Sequence, residues 1–404
     1  MQSNEYMEAA SSAKGTPLLD IRNLSVDYCA ASGRVHALDN VSITLDRGQI
    51  LGLVGESGSG KSTLAYAITR LLHPPAEITG GQVLYYPRSV ASGDMRIERF
   101  KRITMKKKSS DRSELNEHVP EPVDILTFTS AELRIFRWSE LSIVFQSAMN
   151  ALNPVLNIGA QINDVLRTHQ PTLGAVSRKK RIAELLRLVG ISPDRMRSYP
   201  HELSGGMRQR SIIAIALALS PELIIMDEPT TALDVVVQRE ILMEIMGLRE
   251  RLNFSVIFIT HDLSLLLEIA DTIAIMYAGR LVELATSDEV HRQPRHPYSY
   301  GLLNSFPTLY GPRRRMTGIP GSPPDLRAVP SGCAFHARCP CAIEACSTVR
   351  PLLRQSVHET PEQMVACHLY DPGFNNGKKP PSNTEFATNY EAYYELLQGA
   401  RSAE

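Results

Sequence analysis

The residues whose types and spacing could do chemistry begin with a glycine-rich octapeptide, GESGSGKS, at 55–62. Glycines let the backbone curl so that successive N–H groups point toward one cluster of oxygen atoms. Lys61 is then placed to reach the β- and γ-phosphates of a nucleotide, and the Ser62 hydroxyl to ligate Mg²⁺. We predict a nucleotide site to which the loop contributes Gly55, Glu56, Ser57, Gly58, Ser59, Gly60, Lys61, Ser62 and Thr63.

The elements around this octapeptide are those that a phosphate site needs. QILGLV (49–54) is a compact apolar run typical of a buried strand, and TLAYAITRLL (63–72) is typical of a helix. The free N–H groups and the dipole at the start of such a helix favour phosphate. A chance glycine-rich turn is the alternative, and the strand before the loop and the helix after it argue against that.

Two carboxylates and a histidine follow other strand-like runs. Asp227 ends ELIIMD and could hold Mg²⁺ through water, while the next residue, Glu228, could orient or deprotonate an attacking water. His261 follows SVIFIT and could contact the γ-phosphate, although a single histidine at a strand end is more often structural. Its position after Glu228 and the loop TALD favours the functional interpretation. We predict as catalytic residues Glu228, His261 and Lys61.

The segment LSGGMRQR (203–210) precedes an apolar helical run. Ser204, Gly205 and Gly206 would present a nest of N–H groups to a γ-phosphate. Together with the phosphate loop and the acid-ended strand, this segment resembles the signature of the ATP-binding-cassette (ABC) ATPases, over about residues 17–285. The resemblance implies an α/β fold, a P-loop NTPase cassette with a RecA-like α/β core, an antiparallel β subdomain and a helical signature subdomain.

The resemblance also implies roles for single residues. Tyr28 would stack on adenine, and Asp234 would lie in a loop that crosses a dimer. Gln146 would sense Mg²⁺ and the transporter, and Mg²⁺ would be held by Ser62, Gln146 and Asp227. In the family, the signature of one subunit caps the ATP on the phosphate loop of another, here through Ser204, Gly205, Gly206 and Gln209. Because the chain has one loop and one signature, a second cassette must come from another chain.

Three further segments narrow the resemblance to a branch. VFQSAMNALNP (144–154), HPYSYGLL (296–303) and GCAFHARCPCAIEAC (332–346) resemble the ATPase subunits of oligopeptide and dipeptide importers, a branch that includes nickel and oligosaccharide importers. There, a C-terminal extension binds an iron–sulfur cluster, and the matching positions are Cys333, Cys339, Cys346 and Cys367. Four thiolates suit a [4Fe–4S] cluster and also Zn²⁺, which the lack of a C-x2-C pair disfavours. Cys341 leaves the ligand set open, and a disulfide framework is the less favoured alternative.

The chain divides by composition into four parts. We predict a flexible start (1–16), a cassette (17–285) with a charged insertion (87–122) and a mainly helical subdomain (123–205), a small cysteine-rich accessory domain (286–370) and an exposed tail (371–404) with a short helix around NYEAYYELLQ. The insertion is interpreted as a solvated surface rather than a contact for lipid or protein. In RIAELLRLVG the apolar positions recur at helical spacing and predict a helix that ends at Gly190.

Composition limits the classes of partner. Lysine plus arginine and aspartate plus glutamate both number 43, so no global basic field points to nucleic acid. No apolar run approaches the ~20 residues of a membrane span, and the first residues do not resemble a signal peptide. We expect a peripheral protein at the cytoplasmic face of the cell (inner or plasma) membrane. The expected partners are a sister ABC ATPase, two transmembrane permease subunits and an extracytoplasmic substrate-binding protein.

The predicted function is the ATP-hydrolysing motor of a membrane importer of peptides. Oligosaccharides or nickel remain alternative substrates, and a homodimer remains an alternative to a heterodimer with the sister ATPase. A non-transport ABC ATPase is a different class, disfavoured because the chain has a single cassette without a long coiled coil. A redox protein built on the cysteines is disfavoured because no second cofactor motif accompanies them.

Overall fold

The structure is a computed structural model that describes residues 17–30, 33–88, 121–146, 151–231, 233–305, 318–356, 363–375 and 377–401. The predicted flexible start and nearly all of the charged insertion lie outside these residues. Within them, two sheets and a group of helices enclose two large clusters of buried apolar side chains.

The first sheet is antiparallel and is formed mainly by the N-terminal part of the chain. Its strands, in the spatial order β2-β1-β4-β5, are β1 (Pro17–Ala30), β2 (Gly33–Asp46), β4 (Ala76–Tyr85) and β5 (Val123–Asp124). The apolar side chains of β1 and β2 are buried and form one cluster with residues of the first helix. This sheet is the predicted antiparallel subdomain.

The second sheet holds the loop that follows β3. Its strands are β3 (Ile50–Val54), β6 (Leu141–Val144), β7 (Leu223–Asp227), β8 (Ser255–Thr260), β9 (Thr272–Tyr277), β10 (Arg280–Thr286), β11 (Arg354–Gln355) and β12 (Met364–Val365). The 8-stranded order is β11-β12-β10-β9-β3-β8-β7-β6. From β6 to β9 the neighbouring strands are parallel, so their carboxyl ends meet at one edge. Every residue of β3, β7 and β8 is buried, as their continuous apolar runs predict.

The helices connect these strands and build a separate lobe. They are α1 (Lys61–Ile68), α2 (Ser130–Ser139), α3 (Ile158–His169), α4 (Ala175–Leu188), α5 (Gly205–Ala216), α6 (Val235–Leu252), α7 (Leu263–Ile269), α8 (Ser287–Arg292), α9 (Pro297–Leu303), α10 (Ala345–Thr348) and α11 (Asn383–Arg401). Short 3-10 turns lie at Ile125–Thr127, Pro193–Arg197, Pro200–Glu202, His336–Arg338 and His368–Tyr370.

The end predicted for α4 is confirmed. Gly190 has a φ of +67°, and the N–H of Ile191 donates to the carbonyl of Leu186 at 2.8 Å. This is the six-to-one bond of a helix that ends in a left-handed residue. The first helix, by contrast, is shorter than predicted, because Arg70 takes a left-handed conformation with φ of +55°.

One boundary inside the cassette differs from the prediction. Residues 123–144 were predicted to belong to the helical subdomain, but β5 joins the antiparallel sheet and β6 joins the parallel one. The reason is that LSIV (141–144) is an apolar strand-length run that pairs residue by residue with 223–226. Periodicity alone does not separate so short a run from a helical segment.

The C-terminal region continues the cassette's sheet. Glu283 and Leu284 of β10 pair with Val365 and Met364 of β12, so part of the predicted accessory domain extends the same sheet. The predicted exposure of the tail is wrong for one face of α11 and right for its opposite face, which includes the exposed Leu396. Phe386 and Tyr390 of α11 are fully buried, because the aromatic residues of this helix lie on one face that packs against α9.

Across the described ranges, no helix has the length and apolar character needed to cross a membrane.

Candidate nucleotide site

The glycine-rich loop lies between β3 and α1, pressed against the backbones of β2 and β9. A Cβ atom on Gly55 would lie 2.2 Å from the carbonyl oxygen of Met276, and one on Gly60 would lie 2.6 Å from that of Ala37. Gly60 also has a φ of +103°, a conformation that favours glycine. Of the other predicted loop residues, Ser57 and Gly58 are exposed at the tip, Ser59 is buried, and Thr63 lies in α1.

Lys61 is folded back onto this loop. Its ammonium donates to the carbonyls of Gly55 at 2.7 Å and Glu56 at 2.8 Å, and to the Ser59 hydroxyl at 3.3 Å. Burial lowers the pKa of Lys61, and the carboxylate of Glu228 is the largest opposing influence. A phosphate that binds in the loop must therefore replace these bonds with bonds to its own oxygen atoms.

Ser62 and Asp227 form the second part of the site. The Ser62 hydroxyl donates to Oδ1 of Asp227 at 3.1 Å, while Oδ2 of this fully buried carboxylate has no hydrogen-bond partner among the described residues. Burial raises the pKa of Asp227. A buried carboxylate oxygen without a partner, beside a hydroxyl, is the oxygen donor set that Mg²⁺ prefers. These two residues fit the predicted magnesium site.

Glu228 is the centre of a cluster at the carboxyl ends of neighbouring strands. Its Oε2 accepts from Gln146 Nε2 at 3.1 Å and from the Thr231 hydroxyl at 3.0 Å. Its Oε1 lies 3.4 Å from Nδ1 of His261. Gln146, Glu228 and His261 follow β6, β7 and β8, respectively. They are separated by up to 115 positions in the chain (261 minus 146), and the parallel sheet brings them together. Only Thr231 was not predicted.

The signature segment begins α5, as predicted. The Ser204 hydroxyl accepts from the N–H of Met207 at 3.3 Å and caps the helix, and Ser204 is exposed. Gly206 is required here, because a Cβ would lie 2.9 Å from Cγ1 of Val237 in α6. Asp234 caps α6 and is also exposed, so both helix starts lie side by side at the surface.

Two other predicted residues are not exposed at these helix starts. Gln209 is only 1% exposed, so in this structure it lies inside the protein and not on the surface beside Ser204. Helical spacing explains this, because position 209 is on the face of α5 that packs inward. Tyr28 is half-buried in β1 opposite Ala76 of β4. Burial, Asp227 and Tyr28 together raise the pKa of Tyr66 in α1, so Tyr28 lies near the helix that follows the phosphate loop, and its stacking on adenine stays a prediction.

The C-terminal region reaches the phosphate loop directly, which the sequence did not suggest. Both carboxylate oxygens of Glu56 accept from Arg338, at 2.7 and 2.9 Å. The N–H of Glu56 donates to the hydroxyl of Tyr298 at 2.8 Å. Tyr298 lies within HPYSYGLL and Arg338 lies within GCAFHARCPCAIEAC, two of the segments that carry the importer resemblance. The only feature of the sequence that pointed to Tyr298 and Arg338 was therefore that they lie in these two segments.

The cysteines of this region are free thiols. Burial raises the pKa of Cys333 to about 11, and it also raises the pKa values of Cys339, Cys346 and Cys367. Within the described part of the chain, no group of at least three His, Cys, Asp or Glu side chains is arranged to hold a metal ion. The geometry thus does not support the predicted iron–sulfur or zinc site as it stands.

Comparisons with known proteins agree with this architecture. The ABC transporter family matches residues 38–231, and the family described as the C-terminal region of oligopeptide/dipeptide transporters matches 282–346. The oligopeptide transport ATP-binding protein OppD of Bacillus subtilis is 41% identical over 327 residues, covering 80% of this chain and 81% of the relative. The dipeptide transport ATP-binding protein DppD of Lactococcus lactis is 40% identical, covering 80% and 82%.

Solved structures show the same fold. The dimeric ATP-binding cassette MJ0796, bound to ADP and Pi, superposes with a TM-score of 0.52 at 24% identity and covers 67% of this chain and 99% of that one. CbiO1 from Clostridium perfringens gives a TM-score of 0.52 at 23% identity, covering 68% and 91%. At these identities the likeness concerns the fold.

Proposed function

Because this chain belongs to the family of ATP-binding subunits of oligopeptide and dipeptide ABC transporters, we propose that it is the ATP-hydrolysing motor of a peptide importer. The observation that carries the proposal is the cluster around Glu228. Three side chains from three strand ends hold its carboxylate beside Ser62 and Asp227.

Each residue of the site has its own role in ATP hydrolysis. Lys61 and the N–H groups of the loop bind the β- and γ-phosphates, and Ser62, Asp227 and Gln146 hold Mg²⁺, which neutralises charge on the phosphates. Glu228 orients the attacking water and accepts its proton. Gln146 and Thr231 keep Glu228 in place, and His261 contacts the γ-phosphate. Tyr28 stacks on adenine.

The active centre is completed by a second cassette in this proposal. Ser204 and Asp234 are exposed at adjacent helix starts, where they are free to contact another subunit, and a sister ABC ATPase is the partner we favour. Phe145, next to Gln146, exposes apolar surface, as do Val155 and Leu156 further along the chain, and such surface suits a permease subunit. The complex then comprises two permease subunits and an extracytoplasmic substrate-binding protein, with this chain on the cytoplasmic face. The cassette is assigned to residues 17–285, the accessory region to 286–370 and the tail to 371–404.

Replacement of Glu228 tests this function. In the reconstituted transporter, we expect Glu228→Gln to retain ATP binding, to lower the hydrolysis rate by about 10²–10⁴-fold, the usual contribution of a general base, and to stop peptide uptake. Glu250→Gln is the matched control, because Glu250 is an exposed residue of α6. Normal hydrolysis by Glu228→Gln would contradict the role of Glu228. Uptake of nickel or oligosaccharides in place of labelled di- and oligopeptides would contradict the substrate.

For the cysteines, we propose a [4Fe–4S] cluster held by Cys333, Cys339, Cys346 and Cys367, with zinc as the alternative occupant. The support is chemical. Thiols are soft ligands, and Cys333, Cys346 and Cys341 lie close enough to Cys367 to add to the effect of burial in raising its pKa. Cys341 is set apart because its Sγ accepts from Asn389 Nδ2 at 3.3 Å. The four side chains must reorient to converge on one cluster.

Metal analysis of the purified native complex tests this assignment. We expect iron and acid-labile sulfide in equal amounts, lost on replacement of Cys339 by serine and unchanged on replacement of the exposed Cys29 by serine. Zinc without sulfide would favour the alternative occupant. A complex with neither iron nor zinc would contradict the site.

A further inference from the structure

All five N–H donors of Arg338 form hydrogen bonds, and two of them join the C-terminal region to the phosphate loop. A guanidinium has five N–H donors in a fixed planar geometry. Nε donates to the carbonyl of Pro320 at 2.7 Å; Nη1 donates to Glu56 and to the Tyr277 hydroxyl at 3.1 Å; Nη2 donates to Glu56 and to the carbonyl of Gly321 at 3.3 Å. The side chain is only 7% exposed. Such a fully bonded, bidentate arginine has little freedom to move.

Glu56 is held from outside the loop and in turn holds Lys61. Arg338 binds its carboxylate, and the buried Tyr298 accepts a hydrogen bond from its N–H. The carbonyl of the same residue accepts from the Lys61 ammonium at 2.8 Å and from the N–H of Ser59 at 3.2 Å. A change in the position of Glu56 therefore moves two groups of the phosphate loop.

The charges of Arg338 and Glu56 also favour a role for this pair in nucleotide binding. Glu56 is an acidic residue inside a loop that we assign to phosphate, and its charge contributes to the environment of Lys61. In this structure both carboxylate oxygens are occupied by Arg338, and its positive charge partly offsets their negative charge. Without Arg338, the carboxylate would be free to compete with phosphate for the ammonium and would repel the nucleotide.

Arg338 is itself held by a compact turn between two cysteines. The N–H of His336 donates to the carbonyl of Cys333 at 3.0 Å, and that of Cys339 donates to the carbonyl of His336 at 3.2 Å. Phe335 in the same turn is buried against Tyr277 and Tyr298. The backbone from which the side chain of Arg338 extends is therefore held in place.

We propose that Arg338 is a positioning residue for nucleotide binding, which acts through Glu56 to set the phosphate loop and Lys61. The inference rests on the proposed ATP site and adds to it a contact from the C-terminal region. Binding of MgATP is the step that Arg338 serves, while proton transfer at Glu228 does not depend on it.

Nucleotide affinity of the full chain provides the test. We expect Arg338→Gln to raise the Kd for MgATP and the KM for ATP about tenfold, since a charge-assisted bond is lost, and to leave kcat at saturating ATP within about twofold. Arg338→Lys keeps one bond and the charge and should give an intermediate Kd. Arg327→Gln is the control, because Arg327 lies in the same region and is exposed, and it pairs with Asp325 rather than with the phosphate loop. It should leave the Kd and KM unchanged.

A double-mutant comparison separates positioning from a merely structural role. In a chain that already carries Glu56→Ala, the further change Arg338→Gln should alter the Kd less than twofold, because its partner is gone. Hydrogen exchange of the nucleotide-free chain should show faster exchange at 55–62 for Arg338→Gln. If Arg338→Gln fails to fold, Glu56→Gln still tests the pair, because it leaves the bonds of Arg338 to Pro320 and Gly321 in place.

Two results would overturn the inference. One is an unchanged Kd in folded Arg338→Gln, and the other is the same rise in Kd whether or not Glu56 is present. Either result leaves the proposed ATPase intact if Glu228→Gln still stops hydrolysis. Normal hydrolysis by Glu228→Gln would instead contradict the role of Glu228, and a lack of ATP hydrolysis in the unaltered transporter would remove the function itself.

Discussion

The nucleotide edge and the C-terminal region behind it hold their polar groups in opposite ways. At the edge, Glu228 and His261 are joined by a contact of 3.4 Å, and the side chain of His261 is 56% exposed. In the C-terminal region, the fully buried carboxylate of Glu283 accepts from the N–H groups of Arg295 and His296, both at 2.8 Å, and from Gln363 Nε2 at 2.9 Å. Catalytic groups must exchange partners during turnover, whereas buried framework groups must keep theirs.

The comparison predicts where a substitution acts. Changes at the edge should alter turnover and leave stability equal or higher, while changes in the C-terminal region should lower stability. The three predictions below, from the largest expected effect to the smallest, test this division.

Truncation of Tyr390 should have the largest effect. The ring is fully buried against Tyr300, and its hydroxyl donates to the carbonyl of Pro297 at 2.8 Å. Tyr390→Ala should reduce the free energy that docks α11 by about 3–5 kcal/mol, as for other buried aromatic residues. Hydrogen exchange of the amides of α11 measures this loss. Leu396→Ala, on the exposed face of α11, should change it by less than about 0.5 kcal/mol. Equal effects of the two changes would mean that α11 is not docked.

Asp227→Asn should lower turnover without lowering the stability of the fold. The change removes a ligand charge from the proposed magnesium site and should lower kcat by on the order of 10²-fold. Burial raises the pKa of Asp227, which means that the folded chain disfavours its charged form. The neutral amide should therefore raise the free energy of unfolding. Steady-state ATPase and urea unfolding measure the two quantities, with the exposed Asp164→Asn as the control. Lower stability together with lower turnover would contradict the division.

His296 should make the C-terminal region sensitive to acid. Burial lowers its pKa to about 3, and its Nδ1 accepts from the N–H of Tyr298 at 3.0 Å, so the folded chain keeps the ring neutral. The unfolded chain binds a proton below its usual pKa of about 6.5. Stability should therefore be full above pH 6.5 and fall by about 1.4 kcal/mol per pH unit between pH 6.5 and pH 3.

Urea unfolding at a series of pH values measures this slope. His296→Asn retains an acceptor for the helix cap without the titration, so the slope below pH 6.5 should decrease by one proton. His201→Asn, at an exposed site, should leave the slope unchanged. An identical slope for His296→Asn and the unaltered chain would show that His296 is not held neutral.

The sequence predicted those parts of the molecule that depend on local order. Lys61 and Ser62 occupy fixed positions within an octapeptide, and Gly190 ends a helix through its own backbone conformation, so both could be recognised without the fold. The placement of Glu228 and His261 at one site followed from one further assumption, that parallel strands end at a common edge, whereas Gln146 was assigned only from the family resemblance.

The remainder depends on contacts between distant segments. Arg338 binds Glu56 across 282 positions, and no local pattern distinguishes it from the other arginines of the C-terminal region. The burial of Phe386 and Tyr390 depends on the apolar surface of α9, which a search of the tail alone does not reveal. The same holds for β6, whose strand state is set by its pairing with β7.

The pairing of β10 with β12 limits how the chain can be divided. A fragment ending after residue 286 would lose β12 and leave the outer side of β10 with unpaired N–H and C=O groups. Such an open edge is a template for association with another copy. The same cut would also remove Gln363 and the two backbone donors that bind the carboxylate of Glu283. An isolated cassette would therefore be prone to aggregate, and studies of its enzymology require the full length of the polypeptide.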